Sequence, residues 1–217
     1  MTLKNQNGVT LVELMVVIGI CGFMLTSVYT TFITGQATWF TADSAIELRD
    51  NIRTSTEKIG RELRESGFNS AATSQVTLVD GGGASSTDLL RFSMPVLCNT
   101  GTALRDSSGN VANWGAPLTW GCTTSSCMDE NDSCGTLEYK YVQYEVTASN
   151  QLVRKVLSPA LVVVRTDIIA SNVTNMQITQ SADQNVITIQ LTAQKLSPMR
   201  KVITLTKSLD VYLRNRG

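Results

Sequence analysis

The chain has 217 residues, of which 42% are hydrophobic and 17% are charged, a composition that fits a globular domain with a membrane segment and excludes a disordered chain. Eighteen basic residues balance 18 acidic ones, which argues against nucleic-acid binding because that function needs a basic surface. The sequence contains no histidine. This removes the commonest catalytic base and metal ligand and every Ser–His or Cys–His arrangement, so neither an enzyme nor a cofactor is expected.

An apolar stretch near the N-terminus is long enough to cross a membrane as one helix. Residues 9–33 contain 17 apolar side chains, and residues 14–42 carry no charge. Because roughly 20 helical residues cross the hydrocarbon core, we expect residues 9–33 to be transmembrane. A secretory signal peptide is cleaved after its apolar region, at small residues, and no such site follows Leu25. The break in composition lies before the apolar region, at Gly8.

The residues around Gly8 form a specific motif. A short polar leader, MTLKNQNG, is followed by Val9-Thr10-Leu11-Val12-Glu13-Leu14 and an uncharged helix. This segment resembles the prepilin processing motif of type IV pilins and type II secretion pseudopilins. The resemblance implies that residues 1–8 are a leader, that a prepilin peptidase cuts after Gly8, and that Val9 is N-methylated. Val9 replaces the Phe that is usual in the family, and Thr30 stands where the family has a helix-breaking Pro.

Glu13 is an ionisable side chain inside the apolar stretch, and two interpretations are open for it. Its carboxylate can reach the lipid headgroups from one turn inside the helix, where the helix dipole also favours an acid. Alternatively, cleavage after Gly8 creates an amine at Val9 that neutralises the acid. The resemblance implies that the Val9 amine of one subunit meets Glu13 of its neighbour in a bundle of helices. Pairing within one helix is equally open.

A second helical segment, residues 42–66, is amphipathic. Its apolar stripe recurs every three or four residues, which predicts a helix packed on a domain. The stripe consists of Ala45, Leu48, Ile52, Thr56, Ile59 and Leu63. Opposite charges at helical spacing, such as Lys58 and Glu62, are interpreted as a solvated face, and Gly67 as a helix stop. The two segments together predict one continuous helix over residues 9–66, which resembles the long N-terminal helix of a pilin.

Beyond residue 67 the apolar period changes to two, which predicts a β-rich globular domain over residues 67–217. The predicted strands are 75–79, 88–94, 137–147, 151–157, 160–166, 173–180, 186–194 and 201–212. Ser149-Asn150 marks a hairpin turn between two of them. The predicted fold class is therefore α+β and pilin-like: a long N-terminal α-helix, half of it transmembrane, packed on an antiparallel β-sheet domain with a disulfide-bonded loop.

That loop contains four cysteines, Cys98, Cys122, Cys127 and Cys134. On a chain with a membrane segment, these thiols predict two disulfides in an oxidising compartment. A zinc site of four thiolates is the rival hypothesis, although the cysteine spacings lack the two close pairs that such sites use. Short loops favour Cys127–Cys134 with Cys98–Cys122, and the other two pairings stay open.

Two further features of the loop suggest ligands. Asp129, Glu130 and Asp132 supply oxygen donors of the kind that calcium binds, but the EF-hand pattern is absent and a solvated acidic loop is the preferred interpretation. Trp114 and Trp120 are either core side chains or an exposed adhesive surface. No metal ion is predicted.

Two regions narrow the resemblance to part of the family. The segments 48–53 and 59–68 are similar to PilW-type minor pilins and to J-type minor pseudopilins, and residues 211–216 are PilW-like. The resemblance implies a minor pilin that acts in assembly initiation, filament priming or at the tip of a type IV pilus. A minor pseudopilin of a type II secretion system is the alternative within the family. A membrane-anchored adhesin is the alternative from another class.

The resemblance also implies a location and partners. The chain is expected in the bacterial inner membrane as a single-pass protein with its C-terminal domain in the periplasm, and afterwards in an extracellular pilus or pseudopilus. Its expected partners are other major and minor pilins through the N-terminal helix, the prepilin peptidase, the inner-membrane assembly platform and, before assembly, the lipid bilayer. No catalytic residue and no nucleic-acid partner are expected.

Overall fold

The computed structural model of the chain describes residues 10–66, 76–82, 87–95, 114–115, 141–182 and 185–213. These residues form one long helix, α1 (Leu11–Arg64), followed by strands. The strands are β1 (Val76–Val79), β2 (Leu89–Phe92), β3 (Met94–Pro95), β4 (Trp114–Gly115), β5 (Tyr141–Val146), β6 (Gln151–Leu157), β7 (Val163–Ser171), β8 (Val173–Gln180), β9 (Val186–Leu196) and β10 (Val202–Tyr212). This order confirms the predicted α+β, pilin-like fold class. The cysteines of the predicted disulfide loop lie outside the described residues.

Helix α1 has 54 residues and is therefore about 80 Å long. Every residue from Leu11 to Gly35 is exposed, and this part of the helix is long and apolar enough to cross a membrane. The buried residues of α1 begin at Ser44 and end at Leu63. The helix thus has a first part with uncovered apolar side chains and a second part that packs on the β-strands.

Threonine side chains in the exposed part bond to the backbone of the same helix. The hydroxyls of Thr26, Thr31 and Thr34 donate to carbonyl oxygens four residues earlier, at 2.8–2.9 Å. The Thr30 hydroxyl donates to the Ser27 carbonyl at 2.9 Å. Because an unpaired polar group is costly in lipid, these bonds make a threonine-rich stretch compatible with a membrane.

The strands form two main antiparallel sheets. A five-stranded sheet has the order β1-β2-β5-β6-β7, a three-stranded sheet has the order β10-β9-β8, and β3 pairs with β4. The predicted turn at Ser149-Asn150 is confirmed, because β5 and β6 form a hairpin in which Asn150 has φ 58°. Asn172, with φ 63°, is the single residue between β7 and β8 and carries the chain from one sheet to the other. Asparagine tolerates this left-handed conformation better than most residues.

The strand predicted over residues 160–166 is wrong at both ends. β7 begins at Val163 and continues to Ser171. The residues before it form a turn, in which the Leu161 N–H donates to the Ser158 carbonyl at 2.9 Å and Leu161 has φ 62°. The strands predicted over 151–157 and 173–180, in contrast, coincide with β6 and β8.

The apolar stripe of α1 lies against β9 and β10. Leu48, Ile52, Ile59 and Leu63 are fully buried, which confirms most of the predicted stripe, and Ala45 at its start is half-buried. Ile59 and Leu63 join a core to which both main sheets contribute. Its largest strand residues are Leu90, Phe92, Val142, Tyr144, Leu152, Val156, Met176, Ile187, Ile189, Leu191 and Val211. The helix and the two sheets therefore share one hydrophobic core.

Candidate assembly site

The first turn of α1 is capped by a residue of the sequence motif. The Thr10 hydroxyl oxygen accepts a hydrogen bond from the Glu13 backbone N–H at 3.3 Å, and the Thr10 carbonyl accepts one from the Leu14 N–H at 3.1 Å. Such a cap satisfies a backbone donor that has no partner within the helix. The Thr-x-x-Glu spacing is therefore also a helix-start signal, and it puts Glu13 in the first turn.

The carboxylate of Glu13 makes no ion pair or hydrogen bond with a described residue, and its side chain is exposed. Its neighbours Leu11, Val12 and Met15 are 66–74% exposed and apolar. An ionised carboxylate in lipid is costly unless it is paired or hydrated. In a membrane, the Glu13 carboxylate must therefore be neutralised by a cation from outside the described part of the chain or be hydrated by water at the membrane surface.

Most of the other predicted site residues also lie outside the described residues. They are Gly8, Val9, Cys98, Cys122, Cys127, Cys134, Asp129, Glu130 and Asp132. Trp114 belongs to β4, which pairs with β3, and Cys21 is a free thiol on the exposed part of α1. Within the described ranges, no three or more Cys, Asp or Glu side chains are grouped as metal ligands.

A buried ion pair connects α1 to the five-stranded sheet. Glu62 was interpreted above as part of a solvated face, and this is wrong because its side chain is fully buried. Its Oε2 accepts hydrogen bonds from Arg154 Nε at 3.1 Å and from the Tyr144 hydroxyl at 2.8 Å. Arg154 is 2% exposed and lies 3.7 Å from an Asp167 carboxylate oxygen. A buried carboxylate is tolerated here because it is paired.

The partners of Glu62 explain why the sequence did not reveal this pair. Tyr144 on β5 and Arg154 on β6 are directly opposite each other in the sheet. They lie 82 and 92 residues from Glu62 along the chain. The helical spacing of Lys58 and Glu62 is a local signal, and it carries no information about strands that follow so much later.

Burial raises the pKa of the Tyr144 hydroxyl well above its usual value of 10.0, and the Glu62 carboxylate raises it further. Tyr144 therefore remains a hydrogen-bond donor to Glu62 over the physiological pH range. The second carboxylate oxygen of Glu62, Oε1, has no hydrogen-bond partner among the described residues. Among the described residues, the buried Glu62 carboxylate is therefore stabilised by the two hydrogen bonds that Oε2 accepts.

Comparison with known protein families identifies the N-terminal segment. Residues 3–29 match the prokaryotic N-terminal methylation motif. No match was found among curated proteins or among solved structures. The motif, the long apolar helix and the antiparallel sheets together support a type IV pilin-like protein. Proteins with this signature are prepilin-peptidase substrates that enter the inner membrane by one helix and assemble with other pilins, so the motif indicates a structural protein.

Proposed function

We propose that this chain is a minor pilin, a subunit that initiates, primes or caps a type IV pilus. The observation that carries the proposal is the methylation motif at the start of a 54-residue helix whose first part is uncovered. Such a helix fits two environments: lipid before assembly and the helical core of a filament afterwards. In this function the bilayer holds the subunit until neighbouring helices replace the lipid.

Processing is proposed to remove residues 1–8, leaving the helix and a periplasmic domain over residues 67–217. The full chain, expressed with a prepilin peptidase, should yield a mature form that starts at N-methylated Val9 by mass spectrometry. Gly8→Leu should accumulate the unprocessed form, whereas Gly35→Leu, in the same helix, should be processed normally. A mature-sized product from Gly8→Leu would contradict the proposal.

Glu13 is proposed to neutralise the Val9 amine of a neighbouring subunit and so to set the position of the helix in the filament. Its carboxylate has no partner among the described residues, which leaves it available for this contact. Glu13→Gln keeps the size and the backbone cap but removes the charge. We expect this variant to be processed yet missing from sheared filaments, whereas Asp210→Asn, at an exposed carboxylate of β10, enters them. Normal incorporation of Glu13→Gln would refute the pairing.

The other two functions predict different outcomes. A minor pseudopilin undergoes the same processing, so cleavage does not distinguish it from a minor pilin. Deletion of its gene should abolish protein secretion and leave surface pili intact. An anchored adhesin would retain residues 1–8 and would bind a ligand through the loop that contains Trp114 and Trp120. Segments 48–53 and 59–68 resemble both kinds of minor subunit and so support either over the adhesin, whereas the PilW-like residues 211–216 favour the minor pilin over the pseudopilin.

A further inference from the structure

In the described part of the chain, the two main sheets end in four edge strands, and three of these edges are protected. An unprotected edge offers a row of backbone N–H and C=O groups to another strand. β1 has only four residues, and β7 pairs irregularly with β6 at two places and carries Arg165 and Asp167. On the outer side of β8, the Asp88 N–H donates to the Met176 carbonyl at 2.8 Å. The Asp88 carboxylate accepts a hydrogen bond from the Ile178 N–H at 2.6 Å.

β10 is the edge strand without such protection. It pairs with β9 over 11 residues, and the register has no irregularity. The Ser197 N–H donates to the Lys201 carbonyl at 2.9 Å, before β10 begins. The Leu213 N–H donates to the Asn185 carbonyl at 3.0 Å, after β10 ends. Because bonded pairs alternate along an antiparallel ladder, the backbone groups of odd-numbered β10 residues face β9 and those of even-numbered residues face outwards.

The outward backbone groups of β10 belong to six residues, all of them exposed. They are Val202, Thr204, Thr206, Ser208, Asp210 and Tyr212. Their N–H and C=O groups make no hydrogen bond with another described residue. One of the six is charged, and its carboxylate accepts a hydrogen bond from the Thr188 hydroxyl at 2.7 Å. Since none of them is proline, each offers one donor and one acceptor to an added strand.

The opposite, inward face of β10 indicates which kind of strand fits. Its apolar side chains Ile203, Leu205 and Leu209 are only half-buried, so a further strand would cover them. Lys207 lies on the same face and is also half-buried. A groove of about 470 Å³ is lined by Lys207, Leu209 and residues of α1, and by no described residue of β9. The groove therefore lies on the free-edge side of β10.

Lys207 makes this edge selective. A lysine on the inward face of an edge strand discourages an apolar strand, because the ammonium group would be covered without a partner. The carboxylate in the groove lining is Glu57, which already accepts a hydrogen bond from Arg53 at 2.8 Å. Lys58 adds a second cation to the lining. An acid on the added strand, directly opposite Lys207, would compensate the charge.

We propose that the free edge of β10 binds an extended segment of another protein by β-strand addition. The segment has an acid opposite Lys207, apolar side chains opposite Leu205 and Leu209, and small polar residues between them. In this mode of binding the backbone hydrogen bonds give affinity, and the alternate side chains give specificity. The contact goes beyond the proposed function, since it involves neither residues 1–8 nor Glu13.

A second copy of the chain is a poor occupant of this edge. Two antiparallel β10 strands are related by a twofold axis perpendicular to the sheet, and the same axis reverses the direction of α1, which packs on that sheet. The apolar first parts of the two helices would then point in opposite directions. They could not enter one membrane from the same side, whereas a segment without such a helix meets no such conflict.

Amide hydrogen exchange tests the contact. The probe is a synthetic peptide with blocked ends, Thr-Val-Thr-Glu-Thr-Val-Thr, whose acid aligns with Lys207 in either strand direction. Exchange of the full chain in detergent is followed residue by residue by NMR, with and without saturating peptide. The outward N–H groups of Thr204, Thr206 and Ser208 should exchange at least about tenfold more slowly with peptide. The N–H of Leu205, already bonded to β9, should not change.

Charge reversal tests the selectivity. A peptide with lysine in place of glutamate should bind the native chain at least about fivefold more weakly, and Lys207→Glu should reverse this preference. Thr206→Pro removes an outward donor without removing a bond to β9, so it should abolish the slowing by peptide. Unchanged exchange at odd-numbered residues will show that this variant is folded. Arg165→Glu, on the edge strand β7, should bind both peptides as the native chain does.

Four results would overturn the proposal. The first two are failure of the acidic peptide to slow the outward amides and equal affinity for the two peptides. The third is slow exchange of the outward amides in the free chain at every concentration, which would show that another part of the same chain holds the edge. The fourth is slowing that grows with protein concentration, which would assign the edge to a second copy. None of these results affects the processing test of the proposed function.

Discussion

At the scale of single residues, Glu62 determines how α1 is seated on the domain. Apolar contacts tolerate small shifts, but Oε2 of Glu62 must meet both Arg154 and Tyr144, which lie on adjacent strands. A shift of the helix would leave the Glu62 carboxylate buried without these two donors, which is expensive. We infer that this pair selects one position of the helix and that the surrounding core supplies most of the stability.

Glu62→Ala should lower the free energy of unfolding by about 3–5 kcal/mol, because it leaves Arg154 buried without its closest carboxylate. Replacing both residues, by Glu62→Met with Arg154→Met, should recover most of this loss because no charge is then buried. Glu57→Ala, at an exposed helix carboxylate, should have no measurable effect. Chemical denaturation of the full chain in detergent measures these differences. A double variant no more stable than Glu62→Ala would refute this account of the pair.

The raised pKa of Tyr144 predicts a loss of stability in alkali. The folded state binds the phenolic proton more tightly than the unfolded state, whose pKa is near 10.0, so the stabilisation is complete below that pH and is lost as the pH rises above it. Tyr144→Phe should cost about 1–3 kcal/mol at neutral pH and should show a weaker decline in alkali. Tyr212→Phe, at a 68% exposed residue, should keep the native pH dependence; an identical decline in all three proteins would show that Tyr144 is not its cause.

At the scale of elements, α1 combines two helices of different character without a break. Its first part satisfies threonine hydroxyls internally and leaves apolar side chains uncovered, whereas its second part is packed on β9 and β10. The helix and β10 approach each other closely at Gly60, where a Cβ atom would lie 2.7 Å from Leu209 Cδ2. The absence of a side chain at this position therefore lets the helix approach the strand.

Gly60→Leu should lower the free energy of unfolding by about 1–3 kcal/mol, because the new side chain overfills the contact with β10. Leu209→Ala in the same chain should recover part of the loss. Gly35→Leu is the matched control: nothing lies within 4 Å of a Cβ there, and leucine favours helix more than glycine does. Thermal unfolding in detergent measures the change, and a Gly60→Leu variant as stable as Gly35→Leu would contradict the close-packing argument.

At the scale of the whole molecule, the isolated chain exposes more apolar surface than a water-soluble protein tolerates. Large apolar side chains of α1 from Leu11 to Ile33 are 40–79% exposed. Contiguous surfaces of this kind mark membrane or protein contacts. Lipid or neighbouring helices are therefore needed to cover this apolar surface, which agrees with a pilin-like protein.

The four cysteines of the 98–134 loop remain a prediction of two disulfides. After denaturation without reductant, an alkylating reagent should add one adduct to the full chain, at Cys21, and five adducts after reduction, as counted by mass spectrometry. Cys21→Ser should add none without reductant. Five adducts without reductant would instead support the zinc hypothesis or free thiols, because thiolates released from a metal react directly.

Local patterns predicted most of the described fold. Helical periodicity marked the stripe from Leu48 to Leu63, and alternation marked β6 and β8, because both depend on residues that are close in sequence. The start of β7 was missed because Leu161 adopts a positive φ, which the apolar run around it does not reveal. Of the candidate site, the motif around Glu13 could be predicted, whereas the pairing of Glu62 could not, because Tyr144 and Arg154 reach it only when the sheet packs on α1.

The sequence by itself determined the pilin-like class of the fold and its order, one long N-terminal apolar helix followed by antiparallel strands. A peptidase and a bilayer recognise short contiguous segments, so their signals can be read from neighbouring residues. Only the tertiary structure decided that Lys58 stays partly exposed while Glu62, one turn later, is buried. The partners of Glu62 lie 82 and 92 residues away, and burial depends on how such distant segments meet.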